Sequence, residues 1–392
     1  MTEKKVILLV GMINSPHFQR WLSGVAESGT AKRLYIFPSD RYAQIPDFYK
    51  ILDSFIPTKV LKLPIPSVFA YYVTFVLDTF FGKSWRSKLL LRAIRRTKPQ
   101  ILHFHETQHG AYLYNSISEK TRELNTLKIV STWGSDLTIF SKVGENLSQD
   151  GLQNLNHVSE IKKVLAWADV LTAEREFEEL DARRLGFERT FIAPVYITVG
   201  FQDADLLPSS EKPSFRKQIM IKGYQHDAGR ALNALEALAK IGSLLSDYQI
   251  VIYSASESVR IQAELFAYET GVSVRILPRV PHKELLAEFA KSRIYIGLST
   301  SDGLSTSMVE AMSVGCFPIQ SENSAASLFL DENKSGFIVQ PWAIDAIAER
   351  IKISLENDKL VDDAVEINLQ TLRREYSHPK GVEIVRKLYS IK

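Results

Sequence analysis

The feature that most constrains the fold is a repeated alternation of short apolar, β-branched runs with longer stretches at helical spacing. Val6–Val10, Leu34–Phe37, Ile101–Phe104, Lys128–Ser131, Val170–Thr172 and Thr190–Ala193 read as strands. Helical stretches at His17–Ser28, Ala111–Glu123, His157–Trp167 and Glu174–Leu185 lie among them. Strands that are apolar on both faces and separated by helices predict parallel sheets covered on both sides.

Between Thr198 and Arg216 the periodicity stops, and Pro208, Ser209, Ser210, Lys212 and Pro213 raise the polarity. This is the expected linker. The alternation then restarts with strands at Gln218–Ile221, Gln249–Tyr253, Val274–Leu277 and Ile294–Leu298, and helices at Gly229–Leu245, Ser258–Thr270 and His282–Ala290. A chain of 392 residues exceeds one hydrophobic core. The expectation is two α/β domains, residues 1–200 and 217–378. The stretch from Ile344 to the end reads as helices only, broken at Pro379 and Gly381. A terminal helix over 379–392 is placed as able to pack back on the first domain. Open α/β sheets bind ligands beyond the carboxyl ends of their strands, so the site is sought in the cleft such a pair would form.

Composition narrows the class. Apolar content of 45% and charged content of 24% are those of a globular protein, and a net charge of +3 gives no case for nucleic acid. The one cysteine, Cys316, has no internal partner, which fits a reducing, cytoplasmic setting. The apolar run in the first eleven residues is too short for a signal-peptide core and reads as a buried strand. Val68–Phe81, interrupted by Thr74 and Asp78, falls short of the roughly 20 apolar residues that cross a bilayer.

The informative stretch is Ile294–Val339. A strand ends in a small polar loop, Ser299–Ser307, and a helix bearing Met308, Val309, Ala311 and Met312 follows, ended by Gly315. Free N–H groups at such a helix start favour phosphate. Gly303 permits close backbone approach, and Asp302 and Glu310 are placed to face one pocket. Ionised carboxylates suit sugar hydroxyls because they accept several charge-assisted hydrogen bonds. The same residues also read as an ordinary N-cap with a dipole-matched acid.

The order Asp302, seven residues, Glu310-Ala311-Met312, Gly315, Phe317-Pro318-Ile319 and Gly336-Phe337-Ile338-Val339 resembles glycosyltransferase family 4. These are retaining enzymes with the two-domain GT-B fold, in which two Rossmann-like domains face each other across a cleft. Arg279-Val280-Pro281-His282 is similar to the family's turn at the nucleotide base. The resemblance implies that Glu310 takes the ribose hydroxyls and that Asp302, where the family usually has Glu, takes hydroxyls of the donor sugar. It places the backbone of Gly303, Leu304, Ser305 and Thr306 at the phosphates or sugar, and Val280 at the base. It implies no catalytic metal, and no cofactor beyond the substrate.

Three departures stand out. The family's Gly-Arg and following Lys, which neutralise the leaving diphosphate, are replaced here by Gly223-Tyr224 and Gly229. Lys222, Arg230 and Arg279 are the nearby cations, with Arg230 and Arg279 favoured because guanidinium grips phosphate bidentately. In Thr132-Trp133-Gly134-Ser135-Asp136, Trp133 stands where relatives have histidine beside the reacting sugar, and Asp136 matches the family. Trp133 reads either as acceptor-side or as core packing, and Asp136 as a catalytic-side acid or an N-cap. Finally, Gly11 to His17 lacks Gly-x-Gly-x-x-Gly, against a dinucleotide oxidoreductase. Gly11 and Asn14 are placed toward the donor, and His17 on the acceptor side.

In Leu-His-Phe-His-Glu, His103 reads as core and His105, at the strand end, as reaching the acceptor. No ligand spacing supports a metal there. Residues 56–100 carry nine basic residues against one acid, Asp78, among dense aromatics. That pattern fits peripheral contact with an anionic membrane, or a lipid-linked acceptor. It also fits an ordinary sheet-covering helix with Leu89, Leu90, Leu91 and Ile94 on its core face.

The expected function is transfer of a sugar from a nucleotide diphosphate sugar, UDP-linked in preference, to a glycan or lipid-linked acceptor in envelope polysaccharide or glycolipid assembly. The alternatives are a sugar-nucleotide epimerase of the same fold and a non-catalytic nucleotide-sugar-binding protein.

Overall fold

A computed structural model describes residues 3–391, apart from 42–44, 63–64, 83, 135–136, 142–150 and 227. The chain divides into two compact units, Met1–Gly200 with His378–Lys392, and Phe201–Ser377.

The first unit begins with β1 (Lys5–Gly11), α1 (Pro16–Ser28), β2 (Ala31–Pro38), α2 (Phe48–Phe55) and β3 (Thr58–Val60). It continues with α3 (Ser67–Phe81), α4 (Ser84–Thr97), β4 (Ile101–His105), α5 (Gly110–Asn115) and β5 (Leu127–Ser131). Then come α6 (Thr138–Ser141), α7 (Gly151–Trp167), β6 (Val170–Thr172), α8 (Glu178–Arg184) and β7 (Thr190–Ile192). The strands form one parallel sheet in the order β3-β2-β1-β4-β5-β6-β7. Helix α1 shows why the local sequence folds as it does. Pro16 sits at the helix start, where its missing N–H costs nothing, and Gly29 takes φ 69° at the C-cap. Phe18, Trp21, Leu22 and Val25 fall on one stripe and are all buried. Each such side chain contributes about 1.5–3 kcal/mol relative to exposure.

The second unit runs β8 (Gln218–Lys222), α9 (Ala231–Lys240), β9 (Gln249–Tyr253), α10 (Glu257–Thr270), β10 (Ser273–Ile276) and α11 (His282–Ala290). It ends with β11 (Ile294–Gly297), α12 (Thr306–Ser313), β12 (Phe317–Ser321), β13 (Phe337–Val339), α13 (Ile344–Glu356) and α14 (Asp358–Glu375). Its parallel sheet has the order β10-β9-β8-β11-β12-β13. The order reverses between β8 and β11, which makes their carboxyl ends the switch point where such sheets bind ligands. One face is apolar: Ile219, Ile221, Ile250, Ile252, Ile294 and Ile296 meet the helices there. The opposite face is partly polar, with Lys222, Tyr253, Tyr295 and Gln320 on it.

The last helix, α15 (His378–Tyr389), returns to the first unit. Trp21 Nε1 donates to Tyr389 Oη at 3.1 Å, and Tyr389 Oη bonds His103 Nδ1 at 2.8 Å. The expected break at Pro379 and Gly381 is corrected. The chain leaves α14 at Tyr376–Ser377, Pro379 lies in the first turn of α15 where it is tolerated, and Gly381 is inside the helix. A Cβ on Gly381 would lie 2.2 Å from the Val199 carbonyl oxygen, so glycine is what lets α15 approach. Among the described residues, no helix is long and apolar enough to cross a membrane.

Candidate active site

The second unit gathers its polar side chains at the β8/β11 switch point. Lys222 is the last residue of β8, and Asp302 lies in the loop that follows β11. Lys222 Nζ is 3.4 Å from Asp302 Oδ2, with the two side chains 20% and 28% exposed. Burial opposes the lysine's charge. The Asp302 carboxylate more than offsets it and raises the ammonium above its ordinary range. Lys222 also lies over the Tyr224 ring, 5.1 Å from its centroid. This salt bridge therefore ties the end of β8 to the loop that follows β11.

The loop is held from both sides. Thr300 N donates to Ala228 O at 2.8 Å, Arg230 N to Leu298 O at 3.0 Å, and Asp302 N to Asn323 O at 2.9 Å. Gly303 N donates to Asp302 Oδ1 at 3.0 Å, so the carboxylate itself takes up one N–H expected to meet phosphate. Leu304 and Ser305 are buried and Thr306 is half-buried. Ser305 is the N-cap of α12 and makes no side-chain capping bond. Ser301 Oγ, beside Asp302, is buried with no partner among the described residues.

Glu310 lies one turn into α12 and is buried. Its Oε1 is 2.7 Å from Nε2 of His282, the first residue of α11, whose ring is about half exposed. His282 follows the Val280-Pro281 turn, with Val280 half-buried beside it. Beneath the loop, Tyr253, Phe289 and Tyr295 pack edge to face. Tyr295 faces Ser305, Tyr253 faces Ser307, and burial raises both phenols above their ordinary range. Gly297 makes room for them: a Cβ there would lie 2.3 Å from Tyr295 Oη and 2.5 Å from Gln320 Oε1.

Of the three cations considered for phosphate, only Lys222 meets Asp302. Arg230 Nη1 donates to the carbonyls of His226 and Gly229 at 2.8 and 2.7 Å, which shapes its own loop. Arg279 is exposed, with no ion pair among the described residues. Sequence reasoning missed His282, Ser301, Tyr253 and Tyr295. The only available signal was the place of His282 directly after the turn at Val280-Pro281.

In the first unit, His17 and Trp133 come together, with ring centroids 6.0 Å apart and nearly perpendicular. The turn bearing Trp133 is anchored by a buried pair after β6. Arg175 Nε donates to Glu178 Oε1 at 2.7 Å, while Arg175 Nη2 donates to Gly134 O at 2.6 Å. Asn14 is exposed and its Nδ2 donates to Asp40 Oδ2 at 3.0 Å. Gly11 is held close to Phe18, whose ring a Cβ would meet at 2.7 Å. Asp136 lies outside the described residues.

His105 requires a correction. Its ring is fully buried against Phe18, Trp21 and His103 instead of reaching an acceptor. Residues 101, 103 and 105 share the sheet face that α1 and α15 cover. Burial lowers its pKa to about 3, which keeps the imidazole neutral.

Residues 216–370 match the family described as Glycosyl transferases group 1. Among curated proteins none matches the chain in sequence. Among solved structures it is similar to a sucrose-phosphate synthase from Thermosynechococcus elongatus at 14% identity and TM-score 0.73, over 98% of each chain. It is also similar to the Anabaena HepE protein in complex with UDP-glucose, at 13% identity and TM-score 0.67, over 98% of this chain and 99% of that one. A glycosyltransferase from Rickettsia africae aligns over 98% of both chains at 15% identity and TM-score 0.65. The fold is GT-B.

Proposed function

We propose that this chain, a GT-B glycosyltransferase whose residues 216–370 carry the group 1 domain, takes its sugar from a nucleoside diphosphate sugar. UDP is the preferred carrier, in line with the UDP-glucose bound by the Anabaena structure. The observation that carries the reading is the Lys222–Asp302 pair at the β8/β11 switch point, with Glu310 buried one turn further along. An acid held beside a cation at a phosphate-favouring helix start is suited to a sugar joined to a diphosphate.

In this reading Glu310 accepts the ribose hydroxyls and His282 orients it. Asp302 accepts donor-sugar hydroxyls. Lys222 supplies the positive charge that the departing diphosphate needs, because negative charge accumulates there in the transition state. Arg230 shapes the loop, and Arg279 adds an exposed cation at the base turn. Side chains, not a metal ion, carry this neutralisation, so chelator treatment is expected to leave the rate unchanged. No carboxylate is assigned as general base. Retention would follow from acceptor attack on the face that the nucleotide leaves, with a donor phosphate oxygen taking the proton.

The acceptor is proposed to be a glycan or lipid-linked saccharide of envelope polysaccharide or glycolipid assembly, met at an anionic membrane through residues 56–100. The exposed aromatics of α3 and the basic side of α4 support that part. The test is a donor and acceptor panel. Sugar transfer by wild type that Asp302→Ala and Glu310→Ala both lose supports the reading. Turnover of donor without any acceptor would favour an epimerase instead.

A further inference from the structure

The first unit holds a cavity of about 460 Å³ that is lined by none of the second-unit residues described above. It lies at the carboxyl ends of β2 and β3, beside α3 and α4. Its walls include Phe37, Val60, Leu61, Leu89 and Ala93, and it is also lined by Lys59, Lys62, Arg92 and Arg96. The size is that of a small-ligand pocket, and the carboxyl end of a parallel sheet is where such ligands bind.

The charges around it are one-sided for a reason visible in the hydrogen bonds. The one acid of the segment, Asp78, is taken up by Arg41 at 2.9 Å and by Trp85 Nε1 at 3.0 Å. Asp40 also lines the cavity, but its carboxylate accepts from the backbone of Ile13 and Asn14. Arg86 is spent on the carbonyls of Pro38, Ser39 and Asp40. Lys59, Lys62, Arg92 and Arg96 remain exposed, with no ion pair among the described residues. Beside them α3 presents Phe69, Tyr72, Phe75, Phe80 and Phe81 to solvent at 49–77% exposure. Soluble surfaces rarely leave such a patch without an apolar partner.

We infer that this cavity binds a phosphate esterified to a long hydrocarbon chain. The apolar walls take the first methylenes, the four cations take the phosphate, and the aromatic face of α3 lies against the bilayer from which the lipid comes. Neither an apolar wall nor a cationic rim alone explains the lining, whereas an amphiphilic anion uses both. The inference rests on the proposed membrane-side acceptor but not on the donor site.

The test uses octyl phosphate as a soluble probe, with inorganic phosphate and octanol as half-ligands, followed by titration calorimetry on the full chain. Octyl phosphate is expected to bind at one site, with either half-ligand weaker by roughly tenfold or more. Two variants of different character should each remove that binding: the double charge reversal Arg92→Glu/Arg96→Glu, and Ala93→Trp, which fills the cavity with no change in charge. UDP-induced thermal stabilisation serves as the control for an intact fold and donor site. Equal binding of inorganic phosphate, or octyl phosphate binding that survives both variants, overturns the inference. Sedimentation with equimolar phosphatidylglycerol and phosphatidylcholine vesicles separates the sources. Vesicle binding that octyl phosphate displaces assigns the site to membrane lipid. Octyl phosphate binding without vesicle binding keeps the cavity, assigns it to a lipid-phosphate substrate, and removes the membrane contact.

Discussion

His282 Nε2 sits 2.7 Å from Glu310 Oε1, so the acid expected to hold the donor ribose already has one oxygen engaged by a neighbouring helix. The imidazole enters from the first turn of α11 and fixes the rotamer of a carboxylate that is otherwise buried. A hydrogen bond to a charged group contributes about 1.5–3 kcal/mol. His282→Ala is therefore predicted to weaken UDP binding by roughly ten- to a hundredfold. Titration calorimetry checks this, and unchanged affinity would remove His282 from the site.

Lys222→Met is predicted to lower kcat by about a hundredfold or more, the usual cost of losing one group that stabilises transition-state charge. Steady-state kinetics should show KM moving less than kcat. The Arg230→Ala variant should behave differently: its guanidinium holds loop carbonyls, so a fall in melting temperature accompanies any loss of rate.

The fold class was legible in the sequence because apolar runs buried on both faces leave little choice but parallel strands. The places of Asp302 and Glu310, in the loop after β11 and one turn into α12, were legible for a related reason, since both follow from a strand-loop-helix pattern. What could not be read was the pairing between distant segments. Lys222 and Asp302 are eighty positions apart and meet only because β8 and β11 are neighbours across the switch point. His105 misled because a strand end looks accessible in one dimension. Its burial comes from α1 and α15, and the latter lies at the far end of the chain.

Gly297→Ala tests the polar floor of the site. The added methyl would collide with the Tyr295 hydroxyl and the Gln320 amide oxygen. Overpacking of this kind costs about 1–3 kcal/mol. Thermal denaturation should show a lower melting temperature, and an unchanged one would contradict the packing described beneath the loop.

The buried neutral His105 predicts a pH dependence of stability. Its folded pKa of about 3 lies below the unfolded value near 6.5. The unfolded chain therefore binds the extra proton, and stability present above about pH 6.5 is lost as pH falls toward 3. The cost is roughly 1.4 kcal/mol per pH unit for this imidazole. His105→Leu should flatten the acid limb of a melting-temperature profile. A profile as steep as wild type would mean the ring does not titrate this way.

The most direct test of the account is UDP-sugar binding and transfer by wild type, Asp302→Ala and Glu310→Ala, with circular dichroism confirming that all three are folded. The account predicts that wild type binds and transfers, that Glu310→Ala loses donor binding, and that Asp302→Ala loses transfer. Near-normal binding and transfer by both variants would contradict it.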